Sequence, residues 1–133
     1  RGGDWIDKGA SKNLGSTAAR LCTIKESGFD LMNPESREQE ALAFYYRELI
    51  EYSLKNVVAE FVKIRDKFAI NKPMPIIISG GTSLAEGFLP FFQQVFERYR
   101  KKFPIEISEI RVAEDQLNAV AKGLLVQAMQ EYV

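Results

Sequence analysis

The chain is organised around the sequence Pro75-Ile76-Ile77-Ile78-Ser79-Gly80-Gly81-Thr82-Ser83-Leu84-Ala85-Glu86-Gly87-Phe88, which predicts a short strand, a glycine turn and the start of a helix. Three consecutive isoleucines between turn-forming residues are typical of a strand covered on both faces, as in a parallel sheet. Gly80 and Gly81 allow backbone angles closed to other residues and let a ligand approach the main chain closely. A strand, a glycine turn and a helix start in this order are usual where a fold contacts a nucleotide. The spacing alone fits a tightly packed strand-to-helix connection equally well.

The composition is typical of a protein with a packed core. At 133 residues the chain is one domain or one lobe of a larger domain, and 46% of its residues are apolar. Eighteen basic residues balance eighteen acidic ones, which argues against nucleic acid or an anionic membrane surface as the partner. The densest basic run lies between Arg98 and Lys102, and we interpret it as the solvated end of a helix.

Missing residue types exclude several kinds of chemistry. The sequence has no histidine, which removes histidine-based triads, imidazole metal sites and the commonest general base. Cys22 is the only cysteine, so no intrachain disulfide can form, and we expect a reducing cytoplasm and a small buried role for the thiol. No apolar run approaches the ~20 residues that span a bilayer, and no signal peptide is visible. Because the chain starts in the middle of a motif, we expect it to belong to a longer protein.

Hydrophobic periodicity predicts that the first half of the chain is helical throughout. The predicted helices run from Asp4 to about Leu14, from a cap at Ser16 or Thr17 to about Glu26, and from an Asn33-Pro34 start to about Phe68. The last of these would be about 50 Å long if uninterrupted, and a break near Tyr52-Ser53 is the alternative. We interpret Asp4 as an N-cap and Asp7 as the acid of a capping box, in preference to a magnesium role.

In the second half, the order of strand, helix, strand and helix predicts a parallel, right-handed crossover unit. The second strand is predicted at Ile105–Ser108 and the last helix from about Glu114 to Tyr132. The apolar positions predicted to face inward on that last helix are Leu117, Val120, Ala121, Leu124, Leu125 and Ala128. In the helix after Gly87 most aromatic residues are expected in the core, but Phe91 and Phe92 must point to different sides. One of the two is therefore a candidate for contact with a partner.

Four segments, in this order, resemble the C-terminal half of an actin-like ATPase. They are Gly2-Gly3-Asp4-Trp5-Ile6-Asp7, Ile24-Lys25-Glu26, Gly80-Gly81-Thr82 and Ala119-Val120-Ala121-Lys122-Gly123. The family groups actin, the bacterial actin homologues, the heat-shock chaperone ATPases and the sugar kinases. The glycine turn resembles its adenosine motif, and the last segment resembles its second connecting helix, closest to bacterial actin homologues of the MreB type. The resemblance covers most of the chain and implies a ribonuclease H-like, α/β actin-fold lobe.

The resemblance implies two subdomains and an adenosine site between them. Residues 1–70 would form a small helical subdomain, including the helix leading back to the large one, and residues 71–133 an α/β nucleotide-binding subdomain. The residues implied in binding adenosine are Gly2, Gly3, Lys25, Glu26, Gly80, Gly81, Thr82, Leu84 and Ala85. Lys25 and Glu26 match the actin pattern that contacts ribose and adenine, whereas alignment through Thr17-Ala18 moves these roles to Ala19 and Cys22. A solvated helix end is a further interpretation of Lys25 and Glu26, and Lys122 is expected to pack against the other half of the protein.

The resemblance also implies what the full protein would do. The family's phosphate loops, which hold the magnesium-coordinating aspartates, precede this stretch, so this lobe alone is not expected to hydrolyse ATP. Between Glu26 and Pro34 the chain lacks the longer insertion of the rod-shape proteins, which puts family-specific filament contacts in doubt. In the full protein ATP or ADP with Mg²⁺ would bridge two lobes, and a cytoplasmic, cytoskeletal homopolymer is the expected output. A non-polymerising ATPase or kinase and a degenerate interaction module are the alternatives.

Overall fold

A computed structural model describes residues 1–65, 67 and 72–131 of the chain, which form an α/β protein with a small parallel sheet. The α-helices and strands are α1 Gly3–Leu14, α2 Ala18–Ser27, α3 Arg37–Ile64, β1 Met74–Ile78, α4 Phe88–Glu97, β2 Ile107–Val112 and α5 Ala119–Glu131. Short 3₁₀ turns lie at Gly81–Leu84 and Arg100–Lys102. The predicted order of helices followed by strand, helix, strand and helix is confirmed.

The helix starts show which capping predictions hold. Thr17, not Ser16, caps α2, because its Oγ1 accepts a hydrogen bond from the Arg20 amide at 3.2 Å. Helix α1 has Gly2 at its N-cap, so the prediction of Asp4 as the cap is wrong. Asp4 instead lies in the first turn, where a negative charge suits the helix dipole. The predicted start at Asn33-Pro34 is also wrong, because Ser36 caps α3 through the Gln39 amide.

Helix α3 packs against the two helices before it and against the helix of the strand-helix-strand unit after it. Its 28 residues span about 42 Å without interruption, so the alternative of a break at Tyr52-Ser53 is wrong. The predicted end at Phe68 lies outside the described residues. Helix α3 contacts α1 and α2 as well as α4, and its buried side chains are Leu42, Ala43, Tyr46, Ile50 and Leu54.

Strands β1 and β2 pair in parallel, as predicted, with Ile76 opposite Ile110 and Ile78 opposite Val112. One face of this sheet packs on the core below α4, and Ile76 and Ile78 belong to it. The other face is open, because Ile77 is 50% exposed, so the prediction of a strand covered on both faces is wrong for this chain. Strand β2 also starts later than predicted, because its pairing with β1 runs over Ile107–Val112.

Helix α4 packs one face into the core and leaves the opposite face exposed. Phe91 and Phe92 are 2% and 8% exposed, and the helix contacts both α3 and β2. Both phenylalanines are therefore covered by this chain, and the expectation that one of them faces a partner is wrong.

Helix α5 is exposed over residues 120–130. The apolar side chains that the periodicity predicted to face inward, such as Val120 at 67% and Leu124 at 61% exposure, lie on its surface. Its predicted start at Glu114 is also early, because residues 114–118 form turns before the helix begins at Ala119. Among the described residues, no helix combines the length and the apolar character needed to cross a membrane.

Candidate functional site

The glycine turn after β1 is open on its outer side. Gly80 has φ +100°, a conformation that side-chain-bearing residues rarely adopt. A Cβ atom added at Gly80 would meet no atom of the described chain within 4 Å, and one added at Gly81 would meet only Leu117 Cδ2 at 3.7 Å. The turn therefore presents bare main chain to an unfilled space.

On its inner side the turn is fixed by a ring of hydrogen bonds that involves Gly80, Ser83 and Gln116. The Gly80 amide donates to the Gln116 carbonyl. The Gln116 Nε2 donates to the Ser83 carbonyl at 3.0 Å and to Ser83 Oγ at 3.1 Å. Ser83 Oγ in turn donates to the Gly80 carbonyl at 2.6 Å, and the Ser83 residue is only 5% exposed. The Ser83 hydroxyl therefore forms its hydrogen bonds within the turn and to Gln116.

The other predicted residues of the turn have different environments. Thr82 is half-buried, and Ala85 is half-buried against the core. Leu84 is 52% exposed. A groove of about 700 Å³ lies beside the turn, lined by Leu84, Glu114, Asp115, Gln116, Leu117, Ala119 and Lys122. Within this groove Lys122 Nζ pairs with Asp115 Oδ2 at 2.8 Å.

A second cluster joins the start of α1 to the end of α2. Lys25 Nζ donates to the Gly3 carbonyl at 3.2 Å and to Asp7 Oδ2 at 2.9 Å. The side chains of Lys25 and Asp7 are 15% and 5% exposed. A Cβ atom added at Gly3 would lie 3.1 Å from this ammonium group, so glycine leaves the room that Lys25 needs. The prediction of Asp7 as a capping-box acid is wrong, because Asp7 is buried and binds α2.

The Asp7 carboxylate is buried, and its charge affects Tyr46. Asp7 Oδ1 is buried without a hydrogen-bond partner among the described residues. Burial, and to a lesser extent the charge of Asp7, raises the pKa of the Tyr46 hydroxyl to about 12. A negative charge inside the core thus depends on Lys25 for its compensation.

Lys25 and Glu26 have different partners in this structure. Glu26 is exposed, and its Oε1 accepts a hydrogen bond from Cys22 Sγ at 3.5 Å. That hydrogen bond is the main reason why the pKa of the Cys22 thiol is raised. Cys22 is half-buried, which corrects the expectation of a buried filler. Ala19, the position that the second alignment favours, is exposed on the surface of α2.

The two clusters are separate in their bonding. The hydrogen bonds of the described residues bring Gly3 together with Lys25, and the glycine turn together with Gln116, but none joins one set to the other. A different hydrogen bond joins the segment after α2 to the residues after the turn: the Leu31 amide donates to the Glu86 carbonyl at 3.0 Å. Gly87 comes directly after Glu86, and a Cβ atom there would overlap Asp30 Oδ1.

The carboxylates of the described residues are not arranged for a magnesium ion. Within residues 1–65, 67 and 72–131, no group of three or more acidic or cysteine side chains could hold a metal ion. Asp4 is exposed, whereas Asp7 is buried against Lys25, so the two carboxylates do not converge. These carboxylates do not fit a magnesium ion, so no role in binding one is assigned to Asp4 or Asp7.

Sequence reasoning missed Gln116 and the partnership of Asp7 with Lys25. Gln116 lies 33 residues from Ser83, and Asp7 lies 18 residues from Lys25, so no local pattern connects them. Asp7 carried one usable signal, because it comes after Ile6 and before Ala10 on a helix face that is otherwise buried.

These observations define an α/β protein in which a helical unit precedes a parallel strand-helix-strand unit and an open glycine turn lies after its first strand. The chain belongs to the Volactin family, because the model of that family matches residues 1–128. No curated protein matches the chain, and neither does any solved structure.

Proposed function

We propose that the chain is the nucleotide-binding lobe of a filament-forming, actin-like cytoskeletal ATPase and that it binds the adenosine part of ATP or ADP. The main observation in support is the glycine turn. Its outer side is bare main chain next to unfilled space, and its inner side is fixed by Ser83 and Gln116. A rigid turn without side chains allows the sugar and base of a nucleoside to approach within contact distance.

The architecture around the turn supports the same proposal. Strand β1, helix α4 and the parallel strand β2 form the strand-helix-strand unit at whose turn nucleotides commonly bind. Helices α1 to α3 precede this unit, in the order that the proposed ribonuclease H-like lobe requires.

Lys25 and Gly3 would form the second wall of the site. The Lys25 ammonium group has three protons, and its bonds to Gly3 and Asp7 use two of them. The third proton can be donated to an acceptor on the ribose or the base. Asp7 would fix the direction of this donation, because it holds the ammonium group beside the Gly3 main chain.

The proposed role of this chain is binding and orientation. ATP hydrolysis is proposed only for the complete protein, in which a bound magnesium ion would neutralise phosphate charge. Nucleotide binding would change the relation between the two lobes and so control assembly of a homopolymer.

The first test is the affinity of the complete protein for fluorescently labelled ATP, measured by anisotropy for Gly81→Val. Gly81 does not have a positive φ, and a Cβ atom there has only one ordinary contact, so the fold should tolerate the change. The added methyl groups would occupy the nucleoside's space, and we expect affinity to fall at least tenfold, about 1.4 kcal/mol.

The matched control is Gly123→Val. Gly123 also lacks a positive φ and has open space at its Cβ position, but it lies on α5 and does not line the groove beside the turn. It should leave affinity unchanged. Equal affinities for Gly81→Val and the unaltered protein would overturn the nucleotide site.

Sedimentation of the complete protein with and without ATP tests the filament. Pelleting that depends on ATP is expected. A protein that stays monomeric in ATP and phosphorylates a small metabolite would instead favour a kinase of the same superfamily.

A further inference from the structure

We propose that Gln116 is a positioning residue that holds the glycine turn in the shape that accepts the nucleoside, and this inference rests on the proposed function. Gln116 contacts the turn with both its main chain and its side chain. It lies between β2 and α5, so the turn after one strand is held by the segment that comes after the other.

Gly80, Ser83 and Gln116 each form hydrogen bonds to the other two, so the position of each depends on the others. Gly80 uses its amide on Gln116 and its carbonyl on Ser83, and Ser83 uses its carbonyl and hydroxyl on the Gln116 amide group. The Gln116 Nε2 donates to both of these Ser83 oxygens, which leaves the Ser83 hydroxyl proton to point at the Gly80 carbonyl. If the Gln116 amide is removed, the buried Ser83 oxygens lose their donor, and an alternative turn conformation becomes competitive.

Fixing this turn matters because of its composition. Two consecutive glycines have more backbone freedom than any other pair of residues, so a free Gly80-Gly81 turn would be ordered only when ligand binds. The ring orders the turn in advance. The apparent affinity is the intrinsic affinity multiplied by the fraction of molecules in the competent conformation, so pre-organisation raises it by increasing that fraction.

This mechanism differs kinetically from direct contact with the ligand. If Gln116 acts only through the turn, its loss lowers the competent fraction and therefore the association rate, while the dissociation rate stays the same. A side chain that touches the ligand would mainly change the dissociation rate.

The experiment compares Gln116→Leu and Ser83→Ala in the complete protein, with stopped-flow binding of fluorescently labelled ATP. Each variant should reduce the association rate about tenfold, and the double variant no more than either single one, because both break the same ring. Gln93→Leu is the control, since Gln93 is exposed on α4 outside the ring, and its rates should match the unaltered protein.

Amide hydrogen exchange of the turn in the ligand-free protein gives a readout that does not depend on nucleotide. The Gly80 and Ser83 amides should exchange at least tenfold faster in Gln116→Leu, whereas amides of α1 should be unchanged. This pattern also separates local loosening from a general loss of the fold.

The outcomes distinguish the two proposals. If the unaltered protein does not bind labelled ATP, the proposed function fails and the positioning role fails with it. If it binds and Gln116→Leu has the same association rate or the same exchange, the nucleotide site stands and the role of Gln116 is overturned. A faster dissociation at an unchanged association rate would likewise overturn it, because Gln116 would then be a ligand contact.

Discussion

Two aspartate–lysine pairs have nearly equal length but differ in burial, and one joins α1 to α2 whereas the other lies in the groove beside the glycine turn. Asp7 and Lys25 are 2.9 Å apart with side chains 5% and 15% exposed, whereas Asp115 and Lys122 are 2.8 Å apart with side chains 33% and 66% exposed. In the apolar interior an unpaired charge is costly, but at the surface water replaces a lost partner. The distance between the charges therefore says little about their importance, and burial decides how much stability is lost when one partner is removed.

The largest expected effect is that of Lys25→Met. This change leaves the Asp7 carboxylate buried with neither oxygen compensated by a cation, since its Oδ1 has no partner among the described residues. Removal of one partner from a buried pair typically costs about 3–5 kcal/mol. We expect a loss of this size in the free energy of unfolding, measured by urea denaturation.

The double variant Asp7→Asn with Lys25→Met is the matched control. It removes both charges at similar volume, and we expect it to recover most of the lost stability. If Lys25→Met alone costs less than about 1 kcal/mol, the pair behaves as a surface pair and the contrast with Asp115–Lys122 disappears.

A smaller effect on stability is expected from the titration of Tyr46, whose pKa is influenced by the charge of Asp7. The pKa of its hydroxyl is raised to about 12 in the folded protein, first by burial and second by Asp7, whereas an unfolded tyrosine titrates near pH 10. The protonated phenol is the form that the folded state favours. Its contribution to stability is therefore complete below about pH 10 and is lost as pH rises from about 10 to about 12, by at most about 1.4 kcal/mol per pH unit.

The measurement is the free energy of unfolding between pH 9 and pH 12, with phenolate absorbance recorded in parallel. Tyr46→Phe should flatten the decline relative to the unaltered protein. Asp7→Asn should lower the pKa of Tyr46 only in part, because burial is the larger cause. A decline of equal steepness in Tyr46→Phe would contradict the assignment to this residue.

Local chemistry made most of the fold predictable. The signals that predicted the helices act within one or two helical turns, so the sequence shows them directly. They are the hydroxyl of Thr17, the glycines after α1 and α2, and the apolar periodicity of α3 and α4. The prediction of Asp4 as the N-cap of α1 was wrong because a carboxylate in the first turn of a helix interacts with the same dipole as one at the N-cap. The apolar stripe of α5 predicted an inward face that lies exposed in this chain, because the periodicity of a single helix contains no signal for the surface that would cover it.

The sequence predicted the glycines of the candidate site, but it did not predict the hydrogen bonds of Ser83 and Gln116 that hold them. Gly80 and Gly81 come after a run of isoleucines, a pattern visible over a few residues. The groups that hold them, Gln116 and Ser83, meet only after α4 and β2 have folded between them. A polar side chain whose partner lies far along the chain looks like any surface residue until the packing is known.

The smallest effect is expected from Lys122→Met, the surface counterpart of Lys25→Met. The hydrogen bond from Lys122 is the main reason why the pKa of Asp115 is lowered, and a hydrogen bond from Asn118 lowers it further. Loss of Lys122 should raise the pKa of Asp115 towards its ordinary value, with Asn118 keeping it partly lowered, as an NMR titration of the carboxyl group would show. The urea midpoint should not change measurably, because solvent replaces the ammonium group. A loss of stability as large as that of Lys25→Met would mean that the Asp115–Lys122 pair anchors α5, and burial would then not be what separates the two pairs.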